Sequence, residues 1–387
     1  MDFTQVIQFL TKGFTDFTWA DGVMIIIGCL LIYLAIAKEI EPVLLLPIGI
    51  GCVFANLGMS AYQEGGWLKV IYDAGIKTEL FPLLIFVGVG AMIDFRPLLA
   101  MPKMALLGAA GQFGIYGTLL LAILLGFTIP QAASIGVIGA IDGPTAIFVT
   151  TKLAPDMLGP VAVAAYSYMS LIPIIQPPIM RLLTTKRERQ IKMEYAPIPV
   201  SKMAVVLFPI VVTVVISLIA PDAAPLIASL MLGNLIKESG VIDRLSKSVQ
   251  NEIINVSTLF LGLAIGATMT SEKFLFNAAA PAGQQIQYQT LMILGLGLLA
   301  FVIDTIAGLL FGKLMCVMSG HKINPLIGAC GISAFPMAGR LAAKMAQDED
   351  YTNFILMHAM GSNTAGQLGS VIAGGLLLAL VRGLGFG

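Results

Sequence analysis

Asp142 lies in Gly139-Ala140-Ile141-Asp142-Gly143-Pro144-Thr145, in the middle of an apolar run. An ionisable group in such a run is costly and defaults to a functional candidate. Pro144 removes a helical N–H and Gly143 permits unwinding, so the acid stands beside carbonyls released from a helix. Oxygen ligands of that kind suit a small hard cation such as Na+; a helix-capping aspartate at a structural kink is the plain alternative. A second interrupted stretch, Gly331-Ile332-Ser333-Ala334-Phe335-Pro336-Met337-Ala338-Gly339-Arg340, has a hydroxyl, Ser333, and a cation, Arg340, in place of the acid. Arg340 would hold an anionic substrate group or balance Asp142, unless it only snorkels from a helix end. Each stretch is followed by a helix with polar spots, Ala165-Tyr166-Ser167-Tyr168 and Gly361-Ser362-Asn363-Thr364-Ala365-Gly366-Gln367. The Tyr168 phenol can relay a proton or bond a carboxylate, and the Asn363 carbonyl is a neutral Na+ ligand, with Gln367 as a further candidate. Ordinary aromatic packing and interhelical amide contacts are the alternatives. Asp304, in Phe301-Val302-Ile303-Asp304-Thr305, is a second acid in an apolar run, with no glycine or proline break beside it; it is a proton or ion site, or structural. Two histidines, and four cysteines without a CxxC pair, argue against a transition-metal site. No GxxxxGK[ST] pattern offers ATP as an energy source.

These residues need elements to hold them. Of 387 residues, 57% are hydrophobic and 11% charged, and the mean hydropathy is +0.91. Such a composition excludes an ordinary soluble domain and a disordered chain. The 22 basic and 22 acidic residues cancel, so no basic excess points to nucleic acid. The apolar runs are continuous rather than alternating, which argues for helices and against a β-barrel. About 20 apolar residues cross a bilayer, so the expected fold is an all-α polytopic membrane protein with about 10–12 transmembrane segments. The stretches near 43–58, 81–94 and 223–236 are short enough to be half-helices or strongly tilted. Residues 3–10 read as an amphipathic helix on the membrane, and 59–80, with Trp67 and Tyr72, as an interfacial segment.

The largest polar break, 181–202, contains Arg181, Lys186, Arg187, Arg189, Lys192 and Lys202. Its basic excess makes it a cytoplasmic linker. It divides the chain into an N-terminal half, 1–180, with a broken helix at 132–151, and a C-terminal half, 203–387, with a broken helix at 323–339. The halves match in order. Ile135-Gly136-Val137-Ile138-Gly139 to Pro144 and Lys152 parallels Ile327-Gly328-Ala329-Cys330-Gly331 to Pro336 and Lys344. Upstream, Gly90-Ala91 parallels Gly266-Ala267, and Ala55-Asn56-Leu57 parallels Gly233-Asn234-Leu235. Two structural repeats, taken as inverted, with broken helices crossing near the bilayer midplane, are the expected architecture.

The stretches GAIDGPTAIFVTTKLAP (139–155), VAVAAYSYMSLIPIIQPPIM (161–180), INPLIGACGISAFPMAGR (323–340) and GSNTAGQLGSVIAGG (361–375) closely resemble the β subunit of the sodium-transporting carboxylic acid decarboxylases. The resemblance runs over nearly the whole chain. It implies a multi-pass subunit of the bacterial inner membrane that decarboxylates carboxybiotin and exports Na+ while consuming a proton. It implies partners too: a biotin carrier subunit, a carboxyltransferase (α) subunit, a small single-span membrane subunit and further copies of the chain. Na+ and carboxybiotin supplied by the carrier are the implied ligands. By the same resemblance Asp142 is the central Na+/proton acid, with Tyr166 and Tyr168 nearby; Asn324, Gly328, Ser333 and Arg340 form a second cluster, and Asn363 is a further Na+ ligand. Asn324 precedes Pro325 at a helix start, so N-capping is its simpler role. The short chain and the loop KRERQIKMEYAPIPVSK (186–202) look more like the acyl-CoA members than the oxaloacetate type. The competing expectation is a secondary Na+/H+ antiporter or Na+-carboxylate symporter.

Overall fold

The computed structural model describes residues 11, 15, 17–39, 41–57, 65–194, 199–275 and 288–386, with Ser170 by its backbone only. The helix expected at 3–10 and the first part of the interfacial segment lie outside the described residues. Every regular element among the described residues is helical. The longer helices are α1 (Trp19–Ala37), α2 (Pro42–Ala55), α3 (Trp67–Gly75), α4 (Leu80–Met92), α5 (Met104–Ala110), α6 (Phe113–Leu124), α7 (Ile129–Gly136), α8 (Gly143–Leu153) and α9 (Leu158–Leu183). After the polar break come α10 (Lys202–Ile219), α11 (Ala224–Ser239), α12 (Ile254–Thr268), α13 (Tyr288–Met318), α14 (Met337–Glu349) and α15 (Leu356–Gly383).

Counted by length and apolarity among the described residues, 6 helices can cross a membrane, or up to 8 if each bent pair forms one span. The bent pairs are α3 with α4, at 60°, and the two parts of α9, Pro155–Met169 and Leu171–Leu183, at 62°. Two shorter apolar helices, Pro42–Ala55 and Ile129–Ala140, complete the set. The expectation of 10–12 separate segments counted apolar stretches. Part of the difference lies in 43–58, whose helix Pro42–Ala55 is too short to cross alone, and in 132–151 and 323–339, which are interrupted at Ile141 and between Gly331 and Pro336.

Helix contacts across the bundle are made through backbone, as expected where lipid removes the hydrophobic drive and small residues permit close approach. A Cβ on Gly266 would lie 2.1 Å from the Ile48 carbonyl oxygen, and one on Gly233 would lie 1.8 Å from that of Val87. These glycines seat α2 against α12 and α11 against α4. Each crossing is closed by an asparagine at a helix end. Asn56 Nδ2 donates to the carbonyl of Met269 (2.7 Å), just past α12. Asn234 Nδ2 donates to the carbonyl of Ile93 (3.1 Å), just past α4. Gly266 and Met269 have the same spacing as Gly90 and Ile93.

The two clamps sit at opposite ends of the bundle. α10 leaves the polar break and α11 packs back along it after a three-residue turn, Pro221–Ala223, so Asn234 near the end of α11 lies at the break's end. The chain then turns at Gly240 and runs away from that end through Asp243–Thr268, so Met269 and Asn56 lie at the far end.

The polar break is strapped down rather than loose. Asn324 Nδ2 donates to the carbonyls of Arg189 and Ile191 (2.9 Å each), and Asn353 Nδ2 donates to the same two (3.1 and 3.2 Å). Arg189 pairs with Glu349 at 2.7 Å, Lys192 with Asp350 at 3.1 Å and Lys313 with Glu188 at 3.3 Å. The Thr352 hydroxyl and amide, then Lys192, hold the Asp350 carboxyl down at about 2. Burial alone would raise Glu188, but the Thr185 amide and hydroxyl and Lys313 outweigh it, leaving it below the usual range.

Candidate functional site

Helix α7 tightens into a 3-10 turn, Val137–Ala140, and stops at Ile141, which stands at φ +53°. A β-branched residue rarely adopts that region, at a cost of about 1–3 kcal/mol, and stays there only when its surroundings impose it. The chain restarts at Gly143-Pro144 with Asp142 as N-cap of α8, where Pro suits the first turn. The capping alternative is therefore real, but it takes little of the carboxylate. Among the described residues Oδ1 receives only the Thr145 amide, at 3.5 Å. Oδ2 receives the Thr145 hydroxyl (2.8 Å), the Gln367 amide (2.9 Å) and the Ser370 hydroxyl (2.9 Å). The Ser370 proton is shared with the Gln367 carbonyl, also at 2.9 Å. Donors converging on one oxygen are the surroundings of an acceptor, which an ionised carboxylate is on both oxygens.

The second stretch breaks differently. A 3-10 turn, Pro325–Cys330, gives way to an irregular run from Gly331 to Pro336, after which α14 begins. Its carbonyls are taken up by side-chain amides from surrounding helices. Gln176 donates to Ala329 (3.0 Å), Gln112 to Gly331 (3.3 Å), and Asn363 to Cys330 (3.2 Å) and Ile332 (2.7 Å). The two breaks touch directly, because the Ser333 amide donates to the Ala140 carbonyl at 3.3 Å.

A cavity of about 430 Å³ opens at this junction. Asp142, Gly143, Tyr166, Ser333 and Gln367 line it together with Glu41, Met92, Gln250 and Asn255. Met92 ends α4 and Gln250 precedes α12, so the cavity faces the strapped end of the bundle. Tyr166 lies against Gly143, where a Cβ would come within 2.0 Å of its ring. Its hydroxyl is buried and has no hydrogen-bond partner among the described residues.

The other candidates lie elsewhere. Tyr168 is two residues on, on the opposite side of α9, and its hydroxyl donates to the Leu294 carbonyl. Of the two tyrosines, Tyr166 is the one that lines the cavity with Asp142. Arg340 is exposed one helical turn beyond Pro336 and Met337 and is not on the cavity wall. Asn324 accepts the Leu326 amide (3.0 Å) as N-cap and holds the strap, away from the cavity. Gly328 packs its backbone on α13, where a Cβ would lie 2.1 Å from the Gly308 carbonyl oxygen. Asn363 is buried with its Oδ1 unpartnered among the described residues, but its amide braces the second break. Asp304 caps a break in a neighbouring helix. Its Oδ1 accepts the Gly114 amide (2.5 Å) in the first turn of α6, a position that a Cβ on Gly114 would block, 2.4 Å from the Asp304 Cγ. Thr145, Ser370, Gln112, Gln176 and Glu41 were not singled out from the sequence. The available signal was a polar side chain in an apolar helix, and it does not say what the side chain meets. Among the described residues no cluster of three His, Cys, Asp or Glu could hold a metal ion.

The chain is 50% identical over 380 residues to the glutaconyl-CoA decarboxylase subunit beta of Acidaminococcus fermentans, covering 98% of both chains. It is 50% identical over 370 residues to the methylmalonyl-CoA decarboxylase subunit beta of Veillonella parvula, covering 96% of this chain and 95% of that one. Identity to the oxaloacetate decarboxylase beta chain of Klebsiella pneumoniae is 45%, over 422 aligned positions that cover 93% of this chain and 95% of that one. That alignment is longer than this chain of 387 residues, so the oxaloacetate-type relative carries insertions. A family described as the Na+-transporting oxaloacetate decarboxylase beta subunit matches residues 20–381. This polytopic membrane protein belongs to the family of beta subunits of Na+-transporting decarboxylases.

Proposed function

We propose that this chain is the membrane subunit of a biotin-dependent decarboxylase that exports Na+, and that the complex acts on an acyl-CoA rather than on oxaloacetate. The relatives that act on glutaconyl-CoA and methylmalonyl-CoA, at 50% identity against 45% for the oxaloacetate type, support the substrate class. The partners are a biotin carrier, a carboxyltransferase, a small single-span subunit and further copies of this chain, in a bacterial inner membrane. The strapped end, carrying Lys186, Arg187 and Lys192, faces the cytoplasm.

The reading rests on one observation. Asp142, under-bonded at Oδ1, lies on the wall of a cavity that opens at that end and is shared with Ser333 and Tyr166. In this reading Asp142 Oδ1 and the Ser333 hydroxyl hold Na+ at the junction of the breaks, while Thr145, Gln367 and Ser370 orient the carboxylate from behind. Carboxybiotin brought by the carrier loses CO2 when its N–C bond breaks, and the ureido nitrogen takes a proton. The Tyr166 hydroxyl supplies that proton and is reprotonated through Asp142 as Na+ departs. Arg340, one turn outside the cavity, guides the anionic substrate toward it. Asn324, Asn363 and Gly328 act by holding the second break in shape.

We further propose that 1–180 and 203–387 are inverted repeats joined by 181–202. The asparagine clamps at opposite ends of the bundle support an axis in the membrane plane.

The test is the assembled complex in inside-out vesicles, supplied in turn with glutaconyl-CoA, methylmalonyl-CoA and oxaloacetate. Na+-stimulated decarboxylation of an acyl-CoA with Na+ uptake is expected. Decarboxylation indifferent to Na+ would contradict the reading.

A further inference from the structure

Glu41 is the second acid on the wall of the Asp142 cavity, and the mechanism above makes no use of it. It is the residue before Pro42 at the start of α2, and its backbone stands at φ +36°, a region costly for a residue with a side chain. Because α2 runs alongside α12 in the same direction, with Ile48 at Gly266 and Pro47 at Gly262, its start lies at the strapped end, at the mouth of the cavity. The side chain is half-buried, and its carboxylate makes no hydrogen bond or ion pair among the described residues. Across the cavity, the buried Tyr166 hydroxyl has no partner either.

The charge on this wall is one-sided. Asp142 and Glu41 line it, and among the described residues no Lys, Arg or His does; Arg340 stands outside. An apolar cleft lined by one sign of charge focuses its field and concentrates counter-ions. The same field opposes an anionic substrate until cations have entered. We propose that Glu41 is the cation-recruiting carboxylate at the mouth of the cavity, which draws Na+ toward Asp142 and makes cation loading precede the anionic substrate. This rests on the Na+ reading of Asp142.

The experiment uses the assembled complex at constant ionic strength, with choline replacing Na+. Two readouts are taken: the Na+ concentration giving half-maximal decarboxylation, and that giving half-maximal thermal stabilisation without substrate. Glu41→Gln should raise both about fivefold, as expected for one charge removed several Å away in a wet cleft. Glu41→Asp should recover most of the loss. Gln250→Glu, which adds an acid to the cavity lining, should lower both values and tests the idea independently of how Glu41→Gln folds. Glu39→Gln, an exposed acid outside the cavity with the same change in net charge, should leave both unchanged. Na+ curves for Glu41→Gln that superimpose on the parent's, or a shift matched by Glu39→Gln, would overturn the role of Glu41 alone. A parent complex without any Na+ response would overturn the Asp142 reading and this inference with it.

Discussion

The two interrupted stretches use opposite polarity to solve one problem. A broken helix leaves backbone groups without partners, and a membrane interior offers no water to satisfy them. At the first break a side-chain acceptor, Asp142, is surrounded by donors on two helices, and one of its oxygens is left nearly unused toward a cavity. At the second, the acceptors are backbone carbonyls, and amides from Gln112, Gln176 and Asn363 take them up. The first break thus turns a little-used carboxylate oxygen toward the cavity, while most of the second break's exposed carbonyls are taken up by amides and its Ser333 reaches the same cavity.

The largest stability contrast should come from two glycines. Gly331→Ala puts a Cβ 2.1 Å from the Leu107 carbonyl oxygen, backbone that cannot turn aside, and should cost about 3 kcal/mol in thermal unfolding of the complex. Gly143→Ala meets the Tyr166 ring first. It should cost less stability but displace the tyrosine and lower turnover. Equal effects of the two on stability would erase the distinction.

Next, Asn363→Ala strips the Cys330 and Ile332 carbonyls of their amide and should destabilise by about 2 kcal/mol. Ser333→Ala loses only a 3.4 Å contact to the Gly366 carbonyl, and should change stability by less than about 1 kcal/mol while raising the half-saturating Na+. A Ser333 variant with parental Na+ dependence would remove the second break from the ion site altogether.

The tyrosines sharpen the contrast further. Tyr166→Phe should slow decarboxylation by about 100-fold, within the range of a lost proton donor. Tyr168→Phe should leave turnover intact and cost about 1 kcal/mol for its bond to Leu294. The reverse pattern would return the proton donor to Tyr168.

The smallest effect concerns the strap. Asp350 stands at about 2, below the ordinary 3.8, so its favourable contribution is complete above about pH 4 and is lost only as pH falls through about 2. Hydrogen exchange of residues 186–192, corrected for intrinsic rates, should therefore be equal at about pH 5 and pH 7. Asp350→Asn should raise it less than about tenfold, as befits an exposed pair. A strap that opens at about pH 5 would show that another group holds it.

Asp142 was legible in the sequence because an acid beside Gly143-Pro144 in an apolar run has few structural uses. Ser333 and Gln367 were legible too, by position, and both reach the cavity. The amides were legible in place but not in their bonding. Asn324 and Asn363 donate through Nδ2 to carbonyls orphaned by breaks elsewhere, and the Asn363 Oδ1 is left unpartnered among the described residues. No local pattern records which carbonyl is orphaned. Asp304 showed no break in its own helix because the amide it caps is at Gly114, 190 residues away. Glu41 escaped notice for another reason: it sits at the edge of an apolar run, where an acid looks solvated, and only the packing of α2 on α12 turns it toward the cavity. The span count of 10–12 included short and interrupted stretches, such as 43–58 and 132–151, that do not each form a spanning helix.

The central claim is that the first break holds the acid through which Na+ passes. It is tested most directly by Asp142→Asn in the reconstituted complex, with Na+ uptake and decarboxylation followed in the same vesicles. The account predicts that Na+-stimulated decarboxylation falls at least about 100-fold and that Na+ uptake disappears, while the complex still assembles. Na+ accumulation at the parental rate in Asp142→Asn vesicles would contradict it.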